Sequence, residues 1–441
     1  MLRIREQNRM YNIGLISLGC VKNTVDSESI LAMLPQEDFN IVTDLNGCDL
    51  IIINTCGFIL DAKVEAINVI LEALKYKKKT IVIGCLVERY KDELIKEFPE
   101  VDAFVSLKEY PMLQDIINKV LNKDVVENEF DIFNRVLSTP SYSAYLKISE
   151  GCDNFCAFCS IPFIRGRFHS FNFNDLVLYA KDLAKNGVKE LIVISQDTVS
   201  YGKDLKDGSN LYKLLKELDK IDGLEFIRVL YTYPEGITDE ILELISKSTK
   251  IVHYFDIPLQ HCSSRILKLM NRHDTKESIL SLYKRIKRIV PDAILRTTLI
   301  SGFPSETDEE AKELLDFIKE IKFNHLGVFT YSKEEGTKAS LLGNQIDDKI
   351  KSARKDALMN EQKKISYELN KGLIGKKFKA IITKTLGNNE YEVRSQFNST
   401  DDIDGSIILQ TNNIHHEGEV LYIEITSAFV YDLLAKEAWS A

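Results

Sequence analysis

The sequence predicts an α/β multidomain protein: a doubly wound parallel sheet, then a partial (β/α)6 barrel, then a small antiparallel β-barrel. Two long sections alternate strand-like apolar runs with helical patterns, and the carboxyl-terminal section holds short β runs separated by turn residues. A length of 441 residues is enough for two or three separate cores. We predict sections at 1–135, 141–345 and 372–441, with a linker helix over 346–371.

Composition places the chain among ordinary globular proteins, with 44% hydrophobic and 28% charged residues. We find no signal peptide and no apolar stretch long enough to span a membrane, so we expect a cytoplasmic protein. Disulfides are rare in that compartment, which makes the eight cysteines candidate ligands or nucleophiles. A net charge of −9 gives no general reason to expect nucleic-acid binding.

The first section predicts a parallel sheet from five strand-like runs: YNIGLIS, NIVT, DLIIIN, TIVIG and VDAFV. Three of these runs lead directly to a cysteine, at Cys20, Cys56 and Cys85. Because the carboxyl ends of parallel strands share one edge of a sheet, we expect these thiols to converge on a shared metal or cluster. The alternative is that cysteines fill core volume, which suits Cys48 and Cys262.

The second section predicts six βα units of a partial barrel from the runs AYLKIS, ELIVIS, EFIRVLYTY, VHYFDIP, AILRTTLI and HLGVFTYS. Barrel active sites lie at the carboxyl ends of the strands, and here those ends are polar. The second strand leads into Ser195, Gln196 and Asp197, the third is expected to end at Tyr233, and the fourth at Asp256. Turn residues alone give a similar composition, but their shared location favours a functional rim.

A cysteine loop follows the first strand of this section, with the spacing C-x-x-x-C-x-x-C at Cys152, Cys156 and Cys159. A cubane iron–sulfur cluster takes one thiolate on each of four irons, so three cysteines leave one iron open. Zinc is an alternative, with His169 as a fourth ligand, and a disulfide is a further one that the compartment disfavours.

The third section predicts a small barrel from the runs KKFKAIITKT, EYEVRSQ, DGSIILQ and GEVLYIEITSAF. Residues 372–441 contain six basic and ten acidic residues, among them Asp401 and Asp402, which gives a net charge of −4. RNA binders usually present a basic face, so this charge favours a basic protein partner over RNA. A merely solvated acidic surface is the alternative.

The loop C-x-x-x-C-x-aromatic-C resembles that of radical S-adenosylmethionine enzymes. The segments SLGCVKNTVDSE, INTCGFI, GCLVERY, SQDTVSYG, LYTYPEG, PLQHCSSRILKLMNR, RTTLISGFPSET and FTYSKEEGTKA resemble, in order, the motifs of the radical S-adenosylmethionine methylthiotransferase family. The carboxyl-terminal section is similar to a TRAM domain. The resemblance therefore covers nearly the whole chain.

This resemblance implies two [4Fe-4S] clusters and S-adenosyl-L-methionine as cofactors. One cluster is implied on Cys152, Cys156 and Cys159, with its open iron binding the cofactor, and a second, sulfur-supplying cluster on Cys20, Cys56 and Cys85. One cofactor molecule would give a methyl group to sulfur, and another would yield a radical that removes hydrogen from an unactivated C–H bond. A non-catalytic iron–sulfur or zinc protein with a terminal binding module is the alternative.

Four further residues are assigned to cofactor binding. Phe158 matches the family position that packs near the adenine, with ordinary loop packing as its alternative. Ser195, Gln196 and Asp197 are assigned from their place on the predicted rim.

The family has two branches, which modify either an adenosine in transfer RNA or the β-carbon of an aspartate in small-subunit ribosomal protein S-twelve. SLGCVKNTVDSE, IPFIRG and SQDTVSYG resemble the second branch, which implies the ribosomal protein as substrate and a low-potential electron donor such as flavodoxin or ferredoxin. Ser170-Phe171 replaces a usual arginine and Ser305 a usual glycine, and both departures leave all six cysteines in place.

Overall fold

The computed structural model describes residues 9–123, 130–400 and 403–439. The chain divides into two compact units. The first comprises Met1–Ser138, Gly151–Asp153 and Cys159–Phe168, and the second Thr139–Glu150, Asn154–Phe158 and His169–Ala441. The predicted section boundaries are finer than this division and stay a prediction. Asp401 and Asp402 lie outside the described residues.

The first unit contains a five-stranded, wholly parallel sheet in the order β2-β1-β3-β4-β5. Its strands are β1 (Tyr11–Ser17), β2 (Phe39–Ile41), β3 (Leu50–Thr55), β4 (Lys79–Gly84) and β5 (Ala103–Val105). Its helices are α1 (Val21–Met33), α2 (Leu60–Leu74), α3 (Cys85–Glu97) and α4 (Leu113–Leu121), followed by the short α5 (Ile161–Ile164). All five strands were predicted, whereas α4 was not.

The central strand β3 shows why this sheet is covered on both faces. Every residue of LIIINT is buried, as expected of a strand with helices on either side. Ile52 packs with residues of α1 and α4, while its neighbours Ile51 and Ile53 pack with residues of α2 and α3. Successive side chains of a strand point to opposite faces, so two cores result. The prediction of a doubly wound sheet is confirmed.

The second unit contains the partial barrel, formed by two three-stranded parallel sheets in the orders β6-β9-β10 and β11-β12-β13. A single parallel bridge between Ile227 and Ile251 links them. The strands are β6 (Ser143–Lys147), the two-residue β7 (Ser149–Glu150) and β8 (His169–Ser170), β9 (Glu190–Ile194), β10 (Phe226–Val229), β11 (Tyr254–Asp256), β12 (Ile294–Ser301) and β13 (His325–Thr330). The helices are α6 (Phe173–Lys185), α7 (Leu211–Leu218), α8 (Asp239–Lys247), α9 (Ser264–Leu269), α10 (Lys276–Ile289), α11 (Asp308–Ile321) and α12 (Asp348–Lys371). The predicted partial barrel is confirmed.

The third barrel strand is shorter than predicted. We expected it to end at Tyr233, but β10 ends at Val229. Tyr231 has a left-handed backbone with φ of +60°, and its N–H donates to the Asp256 carboxylate at 2.9 Å. Because a left-handed residue cannot continue a strand, the chain turns away here.

The carboxyl-terminal section forms a closed five-stranded barrel in the order β14-β15-β16-β18-β17. Its strands are β14 (Lys377–Gly387), β15 (Glu390–Ser395), β16 (Ile407–Gln410), β17 (Val420–Ala428) and β18 (Leu433–Ala438). Asn388 and Asn389, with φ of 53° and 64°, make the tight β14–β15 turn. The barrel was predicted, but β18 was not, and β16 and β18 pair in parallel, so the barrel is not wholly antiparallel.

Buried ion pairs join this small barrel to the partial barrel. Glu190 at the start of β9 is fully buried and pairs with Arg228 of β10 and with Arg394 of β15. Burial alone would raise the pKa of Glu190, but Arg394 and Arg228 hold it below its ordinary value. A second pair joins Arg296 Nε of β12 to Asp404 Oδ1 at 3.2 Å.

None of the helices in the described ranges combines the length and the apolar character that a bilayer crossing requires.

Candidate active site

The three strand-end cysteines lie where neighbouring strands of the first sheet end. Cys20 is the residue before α1, Cys56 follows β3, and Cys85 begins α3 directly after β4. A Cβ atom built on Gly19 would stand 2.6 Å from Cys56 Cβ, and one built on Gly57 would stand 3.1 Å from the carbonyl carbon of Cys85. The three chain segments therefore meet at one edge of the sheet, where β1, β3 and β4 are neighbours.

Asn23 on α1 ties these segments together. Its side-chain amide donates to the carbonyl oxygens of Leu18 and Thr55, at 2.9 and 3.1 Å. Its Oδ1 atom accepts from Arg165 at 2.5 Å and lies 3.5 Å from Cys85 Sγ. This buried amide thus contacts the chain beside each of the three cysteines.

Burial disfavours the ionised form of two of these thiols. Cys56 and Cys85 are buried, whereas Cys20 is exposed. Burial raises the pKa of Cys56, and it raises the pKa of Cys85 to about 12, with Arg165 acting in the opposite direction on both. A metal ligand must lose its proton, so any cluster bound here would have to supply the free energy of ionisation.

Within the described ranges, no three His, Cys, Asp or Glu side chains are arranged to hold a single metal ion. The donor set, three thiols without a histidine partner, fits iron–sulfur chemistry.

The cysteine loop is fixed at its first cysteine by close backbone packing within the first unit. Gly151 has φ of +74°, and a Cβ atom there would stand 2.2 Å from the carbonyl oxygen of Arg167. The Cys152 N–H donates to the carbonyl oxygen of Gly166 at 3.2 Å. Only glycine fits at 151, so the position of Cys152 depends on it. Cys159 belongs to the same unit and is partly exposed.

Cys156 is held in the second unit. Its Sγ atom lies 2.7 Å from the hydroxyl of Tyr233, whose ring centroid is 4.0 Å from the guanidinium carbon of Arg272. The next residue, Ala157, donates its N–H to the Met270 carbonyl at 2.8 Å. A hydroxyl aimed at a thiol in this way becomes a hydrogen-bond donor to the sulfur once the thiol is ionised.

The four predicted cofactor contacts have different surroundings. Phe158 packs against a hydrophobic core that contains Met270 and Phe303. This contact is what the alternative of ordinary loop packing predicts. Ser195 is fully buried and its hydroxyl is paired with that of Ser149. The roles of Phe158 and Ser195 in binding the cofactor stay predictions.

The next two residues of the rim join β9 to the cysteine loop. Gln196 donates to Glu150 at 2.7 Å. Asp197 Oδ2 accepts from Asn154 at 2.8 Å, while its other oxygen is buried and has no hydrogen-bond partner. An orphaned buried carboxylate oxygen is costly and marks a place where a bound polar group would be accommodated. Their contact with cofactor also stays a prediction.

His261 follows β11 and is fully buried. Its Nδ1 accepts from the Ser263 N–H at 2.9 Å, which assigns the ring proton to Nε2, 3.7 Å from Glu306 Oε2. Burial lowers its pKa from the ordinary 6.5 to about 4, against the raising effect of Glu310 and alongside the lowering effect of Arg265 and Arg354. His261 is therefore a neutral core residue.

We expect His261→Asn to reduce the loss of stability in acid. The unfolded chain binds a proton on His261 more readily than the folded chain does. The neutral His261 ring therefore contributes fully to the free energy of unfolding above pH 6.5, and this contribution falls as the pH drops toward 4. For one histidine with this pKa shift, the free energy of unfolding falls by about 2 kcal/mol between pH 7.5 and pH 5. Urea unfolding of the parent protein and of the His261→Asn variant at the two pH values measures this loss. Equal losses in the two proteins would contradict the description of His261 as a neutral core residue.

The two departures from the family pattern are accommodated locally. Ser170, beside Phe171, donates its hydroxyl to Asp204 at 2.6 Å and accepts from the Gly202 N–H at 2.9 Å. Ser305 keeps a left-handed backbone with φ of +64°. A non-glycine residue there costs on the order of 1 kcal/mol, which explains why glycine is usual at this position.

Sequence reasoning missed Asn23, Arg165 and Arg272 as parts of the site. A signal for the first was present in α1, because VKNTVDSES gives a helix whose buried face is polar and not apolar. No local signal connects Arg165 with Asn23 and Asp26, or Arg272 with Tyr233, because these partners are distant in sequence.

Comparison with known proteins agrees with this geometry. The Radical SAM superfamily profile matches residues 146–318, and the Uncharacterized protein family UPF0004 matches residues 12–106. The ribosomal protein uS12 methylthiotransferase RimO of Clostridioides difficile (strain 630) is 45% identical over 437 residues, covering 96% of this chain and 98% of that protein. The RimO of Alkaliphilus oremlandii (strain OhILAs) is 47% identical over 407 residues, covering 91% and 93%.

Solved structures support the fold. The radical S-adenosylmethionine methyltransferase TsrM from Kitasatospora setae, with cobalamin and a [4Fe-4S] cluster bound, aligns with a TM-score of 0.54 at 10% identity, covering 87% of this chain and 81% of that chain. At this identity the likeness concerns the fold alone. The relatives' identity over nearly the whole length, by contrast, shows that the chain belongs to the RimO family of radical S-adenosylmethionine methylthiotransferases.

Proposed function

We propose that this methylthiotransferase adds one methylthio group to the β-carbon of an aspartate in ribosomal protein uS12. The observation that carries the proposal is the meeting of three cysteine-bearing strand ends in a chain that also has a radical S-adenosylmethionine section. The substrate follows from the RimO relatives, which are named for uS12. We propose that the reaction takes place in the cytosol with a low-potential electron donor such as flavodoxin or ferredoxin.

The proposal includes two [4Fe-4S] clusters and S-adenosyl-L-methionine. One cluster would be held by Cys152, Cys156 and Cys159, and the other by Cys20, Cys56 and Cys85. When bound, these groups supply the sulfur and the one-electron chemistry that breaks an unactivated C–H bond, which no side-chain base can do.

The residues of this chain prepare the first cluster site in two ways. The Tyr233 hydroxyl, 2.7 Å from Cys156 Sγ, would donate to the ligand sulfur, and hydrogen bonds to sulfur raise a cluster's reduction potential. Asn154 donates to Asp197 at 2.8 Å, which fixes the start of the cysteine loop to the end of β9. Both contacts hold the loop before any cofactor binds.

The charge of the carboxyl-terminal barrel supports a basic protein substrate. Of the residues in the sequence count, Arg394 and Asp404 are both largely buried and paired. Because their charges are opposite, the count without them is still −4. Complementary charge steers a basic partner toward such a surface and does not attract a phosphate backbone.

The test is an anaerobic reaction with reconstituted protein, S-adenosylmethionine and a strong reductant. Separate tubes contain uS12, uS12 with the acceptor aspartate changed to asparagine, and unmodified transfer RNA. Mass spectrometry is expected to find one added methylthio group on uS12 alone. Gain on the RNA would support the transfer RNA branch, and no gain on any substrate despite cofactor cleavage would reject both substrates.

A further inference from the structure

Arg165 is an arginine buried beside the strand-end cysteines. It follows α5 directly and belongs to the same compact unit as the first sheet. Its side chain is 3% exposed and that of its partner Asp26 is 4% exposed. A guanidinium this deep keeps its charge, so its partners have to compensate the charge locally.

One nitrogen of Arg165 makes three contacts. Its Nη2 atom lies 2.5 Å from Asn23 Oδ1, 2.9 Å from Asp26 Oδ2 and 3.6 Å from Cys85 Sγ. The first two are ordinary acceptors, and the third is a sulfur within hydrogen-bond range. The arginine is thus directed at a thiol that we assign to a cluster.

The same contacts connect Arg165 with the other two cysteines through Asn23. The amide nitrogen of Asn23 donates to the carbonyl of Leu18, two residues before Cys20, and to that of Thr55, which precedes Cys56. The Asn54 side chain in turn donates to the Asn23 carbonyl at 3.1 Å. Displacement of Arg165 would therefore be felt at all three strand ends.

We propose that Arg165 is a positioning residue of the second cluster: it donates to the Cys85 thiolate and, balanced by Asp26, sets the reduction potential of the cluster on Cys20, Cys56 and Cys85. This inference rests on the proposed function, because it requires these cysteines to hold a cluster. Net charge and hydrogen bonds to sulfur are the protein's main means of setting such a potential.

Two substitutions are expected to shift the potential in opposite directions. Reduction adds negative charge to the cluster, which a nearby cation stabilises. Arg165→Gln removes that cation and its N–H donor, so the potential shifts to lower values. Asp26→Asn removes the opposing carboxylate while the arginine remains, so the potential shifts to higher values. A residue that only supports the fold would not produce shifts of opposite sign.

The experiment uses the full-length chain with Cys152, Cys156 and Cys159 changed to alanine, so that only the second cluster is loaded. Anaerobic redox titration followed by electron paramagnetic resonance gives its potential in this background and after each substitution. Arg165→Lys keeps the positive charge but changes the donor geometry. Its reduction potential is expected to lie between that of the background protein and that of Arg165→Gln. The control is Arg167→Gln, because Arg167 is 73% exposed and pairs with Asp153 at 2.9 Å.

The outcomes separate this inference from the proposed function. Loss of all iron from the background protein would overturn both, since no second cluster would exist. Retained iron with equal potentials, or with shifts of the same sign for Arg165→Gln and Asp26→Asn, would overturn only the role of Arg165. If Arg165→Gln fails to load a cluster, the other two variants still test the role of Arg165. The reduction potential of Arg165→Lys should lie below that of the background protein, and that of Asp26→Asn should lie above it.

Discussion

Replacing Cys152, Cys156 or Cys159 with alanine is expected to abolish reductive cleavage of S-adenosylmethionine completely. Each removes one of the three ligands that we propose for the first cluster, whose fourth iron has to stay open, and a cubane left with two thiolates is expected to lose its iron. Cys85→Ala is expected to keep this cleavage and to lose methylthio transfer, because only the second cluster is affected. Anaerobic assays of 5′-deoxyadenosine and of modified uS12 measure the two steps separately.

Cys262→Ala is the matched control for these variants. Cys262 is fully buried and belongs to neither set of three cysteines that we propose as cluster ligands, so it serves as a core thiol for comparison. Iron content, cofactor cleavage and methylthio transfer should all remain. Loss of cleavage in this variant, with activity retained in Cys156→Ala, would reject the ligand assignment.

Glu190→Ala is expected to destabilise the second unit by about 3–5 kcal/mol, because it leaves the buried charges of Arg228 and Arg394 without their carboxylate. Arg394 Nε lies 2.9 Å from Glu190 Oε2, and Arg228 is itself fully buried. The carboxyl-terminal barrel should also become easier to release. Urea unfolding measures the first effect, and limited proteolysis near Gly372, at the end of α12, measures the second.

Glu225→Ala provides the control, since Glu225 also pairs with a basic residue of the carboxyl-terminal barrel. Its carboxylate lies 2.5 Å from Lys379 Nζ, but the two side chains are 42% and 25% exposed. A solvated pair contributes at most about 1 kcal/mol, so the variant should resemble the parent protein. Equal destabilisation by both substitutions would show that the burial of Glu190 is not what matters.

Local patterns predicted those features whose causes are local. The run YNIGLIS coincides with β1, and LIIIN lies within β3, because buried parallel strands have to be continuously apolar. The placement of Cys20, Cys56 and Cys85 at one edge followed from topology alone, since the carboxyl ends of parallel strands always lie together.

Features that depend on distant contacts were not predictable. The end of β10 is set by Tyr231, whose N–H bonds to a carboxylate 25 residues further along the chain. Arg165 and Asp26 are 139 residues apart. The strand β18 was not predicted because its run LLAKEA is short and contains residues with weak β propensity. It becomes a strand through pairing with β16 and β17.

The buried pairs made by Arg394 and Asp404 have a consequence for how freely the terminal barrel can be exchanged. Small β-barrels are often regarded as cassettes that can be grafted from one enzyme onto another. Here a grafted barrel would bring no partner for Glu190 or Arg296 unless it carried an arginine and a carboxylate at these two places. A chimera with a different terminal barrel therefore needs an arginine and a carboxylate at the places of Arg394 and Asp404, so that both buried charges of the host barrel keep their partners.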